Sequence, residues 1–132
     1  MADCIVIVNE NDQPIFLKSS DESNRNLNLY YLAYMCLDII SEKKEVDETH
    51  ELYLGSLLPH AYYKVYGYIT PTNTKFIIVV DKLRVDIREI EIKQMFSMLH
   101  SSYVNTVSNP LYVIGTEIKS NKFDSIVASI MN

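Results

Sequence analysis

Cysteine is scarce in this chain. Cys4 and Cys36 are the only two, and no CxxC pair occurs. Two cysteines are too few for a disulfide framework, so both are expected as reduced, buried thiols. Basic charge is short as well: 12 Lys and Arg stand against 17 Asp and Glu, a net charge of −5. A duplex nucleic-acid binder carries a basic footprint, so this balance argues against a nucleic-acid partner. Long apolar runs are missing. The run at 76–80, FIIVV, is among the longest, whereas a bilayer-spanning helix takes about 20 residues. The start, MADCIVIVNEND, has no basic n-region and meets acidic residues at once, so it does not read as a signal peptide. Low-complexity tracts and internal repeats are also lacking.

The usual signatures of catalysis are equally thin. His50, His60 and His100 are spread along the chain with no HExxH and no i, i+4 partner, which argues against a zinc site. Gly55, Gly67 and Gly115 stand alone, so no glycine-rich phosphate loop exists, and there is no GxSxG elbow. Cys36 falls on the core side of a predicted helix, where a thiol is inert. Asp47, Glu48 and Glu51 flank His50 as a solvated turn. Lys43-Lys44 and Lys82, Arg84 and Arg88 read as a helix C-terminus and a surface loop. No catalytic residue, metal ligand or cofactor is assigned. The question becomes what the chain binds.

What is present suits one domain with one core: 132 residues, 48% hydrophobic and 22% charged. Residues 3–9 and 14–18 read as a hairpin with its turn at 9–12. Residues 27–44 read as a helix. Three strands follow at 50–58, 62–70 and 75–81, with turns at Pro59-His60 and Pro71-Thr72-Asn73. The FIIVV run in the last strand is apolar without alternation, as expected for a strand covered on both faces. Tyr62, Tyr66 and Tyr68 share one strand face and are expected as core beneath a helix.

A second helix begins near Asp86, with Glu89 three residues on in a capping-box spacing. Its apolar stripe is Ile92, Met95, Phe96, Leu99 and Tyr103. Asn109-Pro110 ends that region. A last helix follows, with Ser120 as N-cap and Phe123, Ile126, Val127 and Ile130 as its inner face. The predicted order is ββαβββαα, an α+β domain with helices on both faces of the sheet.

The first helix carries an anomaly. At 100° per residue, Leu29, Leu32, Ala33, Cys36, Ile39 and Ile40 fall on one side. The opposite side should be charged if water covers it. It holds Tyr30, Tyr31, Tyr34 and Leu37, with one carboxylate, Asp38, among them. A tyrosine rim with a single charge has the composition of a protein interface. These five residues are the candidate partner-binding site.

Several motifs carry a family resemblance. The block YLGSLLPHAYYKVYGYITPTNTKF with the following IIVVD, then KQMFSMLHSSYVN and NPLYVIGTEIKSNKFDSIVASIM, closely resembles the sedlin family of subunits of TRAPP, the transport protein particle. The start, MADCIVIVNENDQPIFLKSS, is similar to the family's first hairpin. The resemblance covers nearly the whole chain, here treated as a single domain over 1–132. In two places the chain departs from the pattern: the link over 42–50 is shorter than in animal members, and Ile114 stands where a proline is common.

The resemblance implies a longin (profilin-like) fold: a five-stranded antiparallel sheet with one helix on one face and two on the other. It implies a non-enzymatic adaptor in a vesicle-tethering complex between endoplasmic reticulum and Golgi. The expected partners are other TRAPP subunits and, indirectly, a Rab GTPase activated by the assembled complex. Membrane association would be peripheral and through the complex only. Family members carry a Leu-Asp pair on the first helix, matched by Leu37-Asp38, and the acidic position is expected to bear on partner contact. Another longin-type trafficking module, a SNARE regulatory domain or small adaptor-coat subunit, is the alternative.

Overall fold

A computed structural model describes residues 4–11, 13–19, 31–32, 34–40, 53–58, 63–70, 73–81, 89–110, 118 and 121–131. Strands β1 (Cys4–Val8), β2 (Pro14–Ser19), β3 (Tyr53–Leu58), β4 (Tyr63–Ile69) and β5 (Lys75–Asp81) form one sheet in the order β2-β1-β5-β4-β3. Every pairing is antiparallel. Residues 31–32 and 34–40 are helical and are termed α1. Helices α2 (Glu89–Val107) and α3 (Asn121–Met131) follow the sheet.

The central strand explains the architecture. β5 pairs with β1 on one side and β4 on the other, so it has no free edge. All five residues from Phe76 to Val80 are buried. Because side chains alternate along a strand, the run divides between two cores. Phe76, Ile78 and Val80 join Ile92, Phe96 and Leu99 of α2 and Phe123, Val127 and Ile130 of α3. Ile77 and Val79 join Leu32, Cys36 and Ile40 of α1. β1 divides in the same way: Ile5 and Ile7 face α2 and α3, while Cys4, Val6 and Val8 face α1. One helix therefore covers one face and two cover the other. Such a run needs no polar residue, and from Phe76 to Val80 the sequence supplies none.

Short polar bonds close the hairpins. In the β1–β2 turn the Asn9 carboxamide oxygen accepts from the Asn11 and Gln13 amides, each at 2.9 Å. This Asx arrangement lets a buried asparagine replace a strand carbonyl. In the β4–β5 turn, Asn73 takes a left-handed backbone with φ 67°, a conformation asparagine tolerates better than most side chains. Its amide donates to the Thr70 carbonyl at 2.9 Å, and the Thr74 amide donates to the Thr70 hydroxyl at 3.1 Å.

Edge strand β2 is partly protected. The Ile118 amide donates to the Ile15 carbonyl at 2.8 Å, and Lys18 Nζ lies 2.7 Å from Asp124 of α3. Phe16 meets Phe123 edge-on at 4.8 Å between ring centroids. These contacts fix α3 to the sheet margin and blunt an otherwise open edge.

The stripe predicted for the second helix takes its expected place. Ile92, Phe96 and Leu99 are fully buried, and Met95 and Tyr103 pack half-buried beside them. Tyr66 and Tyr68 are core under α2, and Cys4 and Cys36 are buried free thiols. The predicted Asp86 start, Tyr62, the Ser120 cap, the 42–50 link and Ile114 lie outside the described residues.

Candidate functional site

Helix α1 is anchored along one side. Leu32, Cys36 and Ile40 are buried against β1, β4 and β5 residues, with Ile39 half-buried beside them. Cys36 has its thiol pushed up to about 11 by burial. It is therefore protonated and unreactive at neutral pH, consistent with a packing role.

On the opposite arc, Tyr31 is 70% exposed and Met35 62% exposed. Tyr34 is half-buried and Asp38 is exposed. At 100° per residue these four fall within about a third of a turn of one another, so they form a continuous outward face. Leu37 is half-buried, as Tyr34 is, and packs against the α1-side core. Its angular position puts it at the flank of the face, between the tyrosines and the sheet. Tyr30 lies outside the described residues.

Met35 is the residue that the sequence reading missed. The same helical wheel places it next to Tyr31, at the edge of the face away from Tyr34. Chemically, the face can supply aromatic area, a polarizable thioether and one fixed carboxylate.

The polar groups on the other side of the sheet bond to one another. Tyr68 Oη lies 2.9 Å from His100 Nδ1, and Thr74 Oγ1 lies 3.2 Å from Tyr103 Oη. Around them Tyr68 stacks on Phe76 and Phe96, with centroids 5.7 and 5.3 Å away. His100 and Tyr103 meet Phe76 edge-on at 5.9 and 5.4 Å. Burial raises the Tyr68 phenol and lowers the His100 imidazole, so both shifts favour the uncharged pair. The arrangement is a structural brace between β4 and α2, with each hydroxyl satisfied inside an aromatic cluster. His50 and His60, the other two histidines, lie outside the described residues. Among the described residues, no group of three or more His, Cys, Asp or Glu side chains could hold a metal ion. No described helix is long and apolar enough to cross a membrane.

Comparison with known proteins decides the family. The model of the family described as Sedlin matches residues 7–132. The chain belongs to the sedlin family. The trafficking protein particle complex subunit 2-like protein of Rattus norvegicus is 39% identical over 136 residues, covering 99% of this chain and 97% of the relative. Its counterpart in Dictyostelium discoideum is 37% identical, covering 97% and 94%. A more distant relative, the transport protein particle 20 kDa subunit of Schizosaccharomyces pombe, is 26% identical over 140 residues. Among solved structures, Myxococcus xanthus MglB superposes with a TM-score of 0.53 at 15% identity, covering 79% of this chain and 85% of that one. At that identity the likeness speaks to the fold, the longin-like α+β arrangement, and to nothing further.

Proposed function

We propose that this sedlin-family chain is a non-enzymatic adaptor subunit of a TRAPP-type vesicle-tethering complex. It would work in transport between endoplasmic reticulum and Golgi, in the cytoplasm and at the surface of those membranes. Its contribution is to hold other subunits in place within an assembly that exchanges nucleotide on a Rab GTPase. Family membership and near-full-length similarity to trafficking protein particle subunits support the setting.

The observation that carries the mechanism is the outer face of α1. Tyr31, Tyr34 and Met35 are apolar anchors placed on a helix whose inner side is locked into the core. Locking the helix in advance lowers the entropy cost of docking. Asp38 is the orienting charge, matched to an arginine, lysine or backbone N–H on the partner. The anchors supply most of the affinity, since a few aromatic residues dominate protein interfaces, and the carboxylate supplies register.

The test is a pull-down from cell extract with tagged wild type beside Asp38→Tyr, the bound proteins being identified by mass spectrometry. Wild type is expected to recover TRAPP subunits. Asp38→Tyr is expected to lose at least one of them while keeping the wild-type circular dichroism and melting temperature. Recovery of coat or SNARE proteins by wild type instead would favour the other longin-type modules. An Asp38→Tyr chain that unfolds would give Asp38 a structural role and sink the interface reading.

A further inference from the structure

The two flanks of α1 differ. Cys36 is fully buried and points at the sheet. Its neighbours in sequence turn about 100° to either side of it. Leu37 on one flank is half-buried against the core, whereas Met35 on the other is 62% exposed. One flank is therefore covered and the other is open.

Topology decides which strand the open flank overlooks. With the order β2-β1-β5-β4-β3 and every pairing antiparallel, β2 and β3 run parallel at opposite edges of the sheet. α1 joins them in the chain, and a crossover between parallel strands is right-handed. The helix returns antiparallel to β2. In a right-handed helix so placed, the residue before Cys36 turns towards β2 and the residue after it towards β3. Met35 overlooks β2, and Tyr31, one turn earlier, lies on the same side and further out.

β2 presents a matching side chain. Leu17 pairs with Val6, a member of the α1-side core, so both project from that face of the sheet. Val6 is fully buried but Leu17 is 42% exposed. The cover that α1 provides ends between the two strands. The other face of β2 is held by the ion pair of Lys18 with Asp124, and on its rim the Ile15 carbonyl accepts from the Ile118 amide. On the α1 side, then, β2 offers a visitor a leucine and not a strand edge.

Resting on the α1 reading above, we propose that the docking surface runs off the helix onto β2. Tyr31, Met35 and Leu17 make an apolar shelf. Asp38 lies at its outer margin, about two turns along the helix from Tyr31. The occupant is an apolar ridge of a partner TRAPP subunit, of the kind a helix presents, with a cationic side chain beside it to meet Asp38. Charge complementarity favours this occupant. Asp38 is the only charge among the described residues of α1, and the whole chain carries −5. A cationic partner is drawn to such a protein, while the shelf itself has no charge to desolvate. Leu17 is the contact that this extension adds.

A photo-crosslinking benzophenone amino acid in place of Leu17, and separately of Met35, tests it in cells that express the tagged full chain. Both positions are expected to label the same TRAPP subunit, the one that Asp38→Tyr loses from the pull-down. Adding Asp38→Tyr to the chain labelled in place of Leu17 is expected to cut the label by about tenfold or more. Leu17→Lys is expected to lower recovery of that subunit by a similar factor at an unchanged melting temperature, because lysine is at home on an exposed edge strand. Leu17→Met, which keeps the apolar contact, is expected to retain it. Two results overturn the extension and leave the α1 reading standing: labelling of a different protein from the Leu17 position, or recovery that Leu17→Lys leaves intact while Asp38→Tyr abolishes it. Recovery that neither substitution changes overturns both.

Discussion

On the two-helix side of the sheet the buried residues include Phe16, Tyr66, Tyr68, Phe76, Phe96 and Phe123. On the one-helix side they are cysteine, valine, leucine and isoleucine, with no buried aromatic ring among the described residues. Two helices leave a seam above the sheet that large side chains must fill to reach close packing. A single helix lies against a carpet of small branched residues. The tyrosines sort accordingly. Tyr68 and Tyr103 are packing material whose hydroxyls are bonded to His100 and Thr74. Tyr31, on the thin side, faces outward. The same residue type serves cohesion in Tyr68 and display in Tyr31, and burial tells which.

Deleting a ring is the most forceful way to break this contrast. Phe96→Ala on the aromatic side is expected to cost about 3–5 kcal/mol. Ile77→Val on the aliphatic side should cost about 0.5–1.5 kcal/mol. Urea denaturation of both variants measures the difference, and equal losses would mean that the two cores share load evenly.

A smaller effect separates the two sides by pH. Burial lowers the His100 pKa in the folded state below its ordinary value of 6.5. The unfolded chain therefore binds the proton first, and stability declines as pH falls below about 6.5, levelling once the folded-state pKa is passed. Above 6.5 this group contributes no slope. The urea midpoint of wild type should drop between pH 7.5 and 5.5, and His100→Gln should flatten that part of the drop. Carboxylates titrate lower and remain in both proteins. An unchanged slope would show that protonated His100 is accommodated without loss.

The smallest expected effect concerns the sheet margin. Lys18→Ala removes the ion pair with Asp124, whose carboxylate side is more than half exposed. Screening by water limits the cost to less than about 1 kcal/mol, and added salt should erase it. A larger, salt-independent loss would indicate that α3 is held to β2 chiefly by this contact and not by Phe123 and Ile118.

Much of this was legible beforehand. The uninterrupted FIIVV run implied a strand covered on both faces, since any outward position would have favoured a polar residue. The spacing of Ile92, Phe96 and Leu99 implied a helix lying on that sheet. The tyrosine rim of the first helix stood out because a water-facing side without charge is anomalous, and the named motifs carried the family. Periodicity and composition are local properties, and they need only one element at a time.

The rest depended on the elements coming together. Leu37 is half-buried and Met35 exposed because a helical wheel gives an angle but not how far the sheet wraps around the helix. Ile90, Met98 and Val104 are exposed on α2, which the sequence could not show until the neighbouring elements had taken the rest of that helix. The partnership of Tyr68 with His100 joins residues 32 apart in the chain, and no local pattern encodes it. Sequence dictates which surfaces can be buried. Packing in three dimensions decides which of them remain uncovered, because that depends on the area the neighbouring elements have left to give.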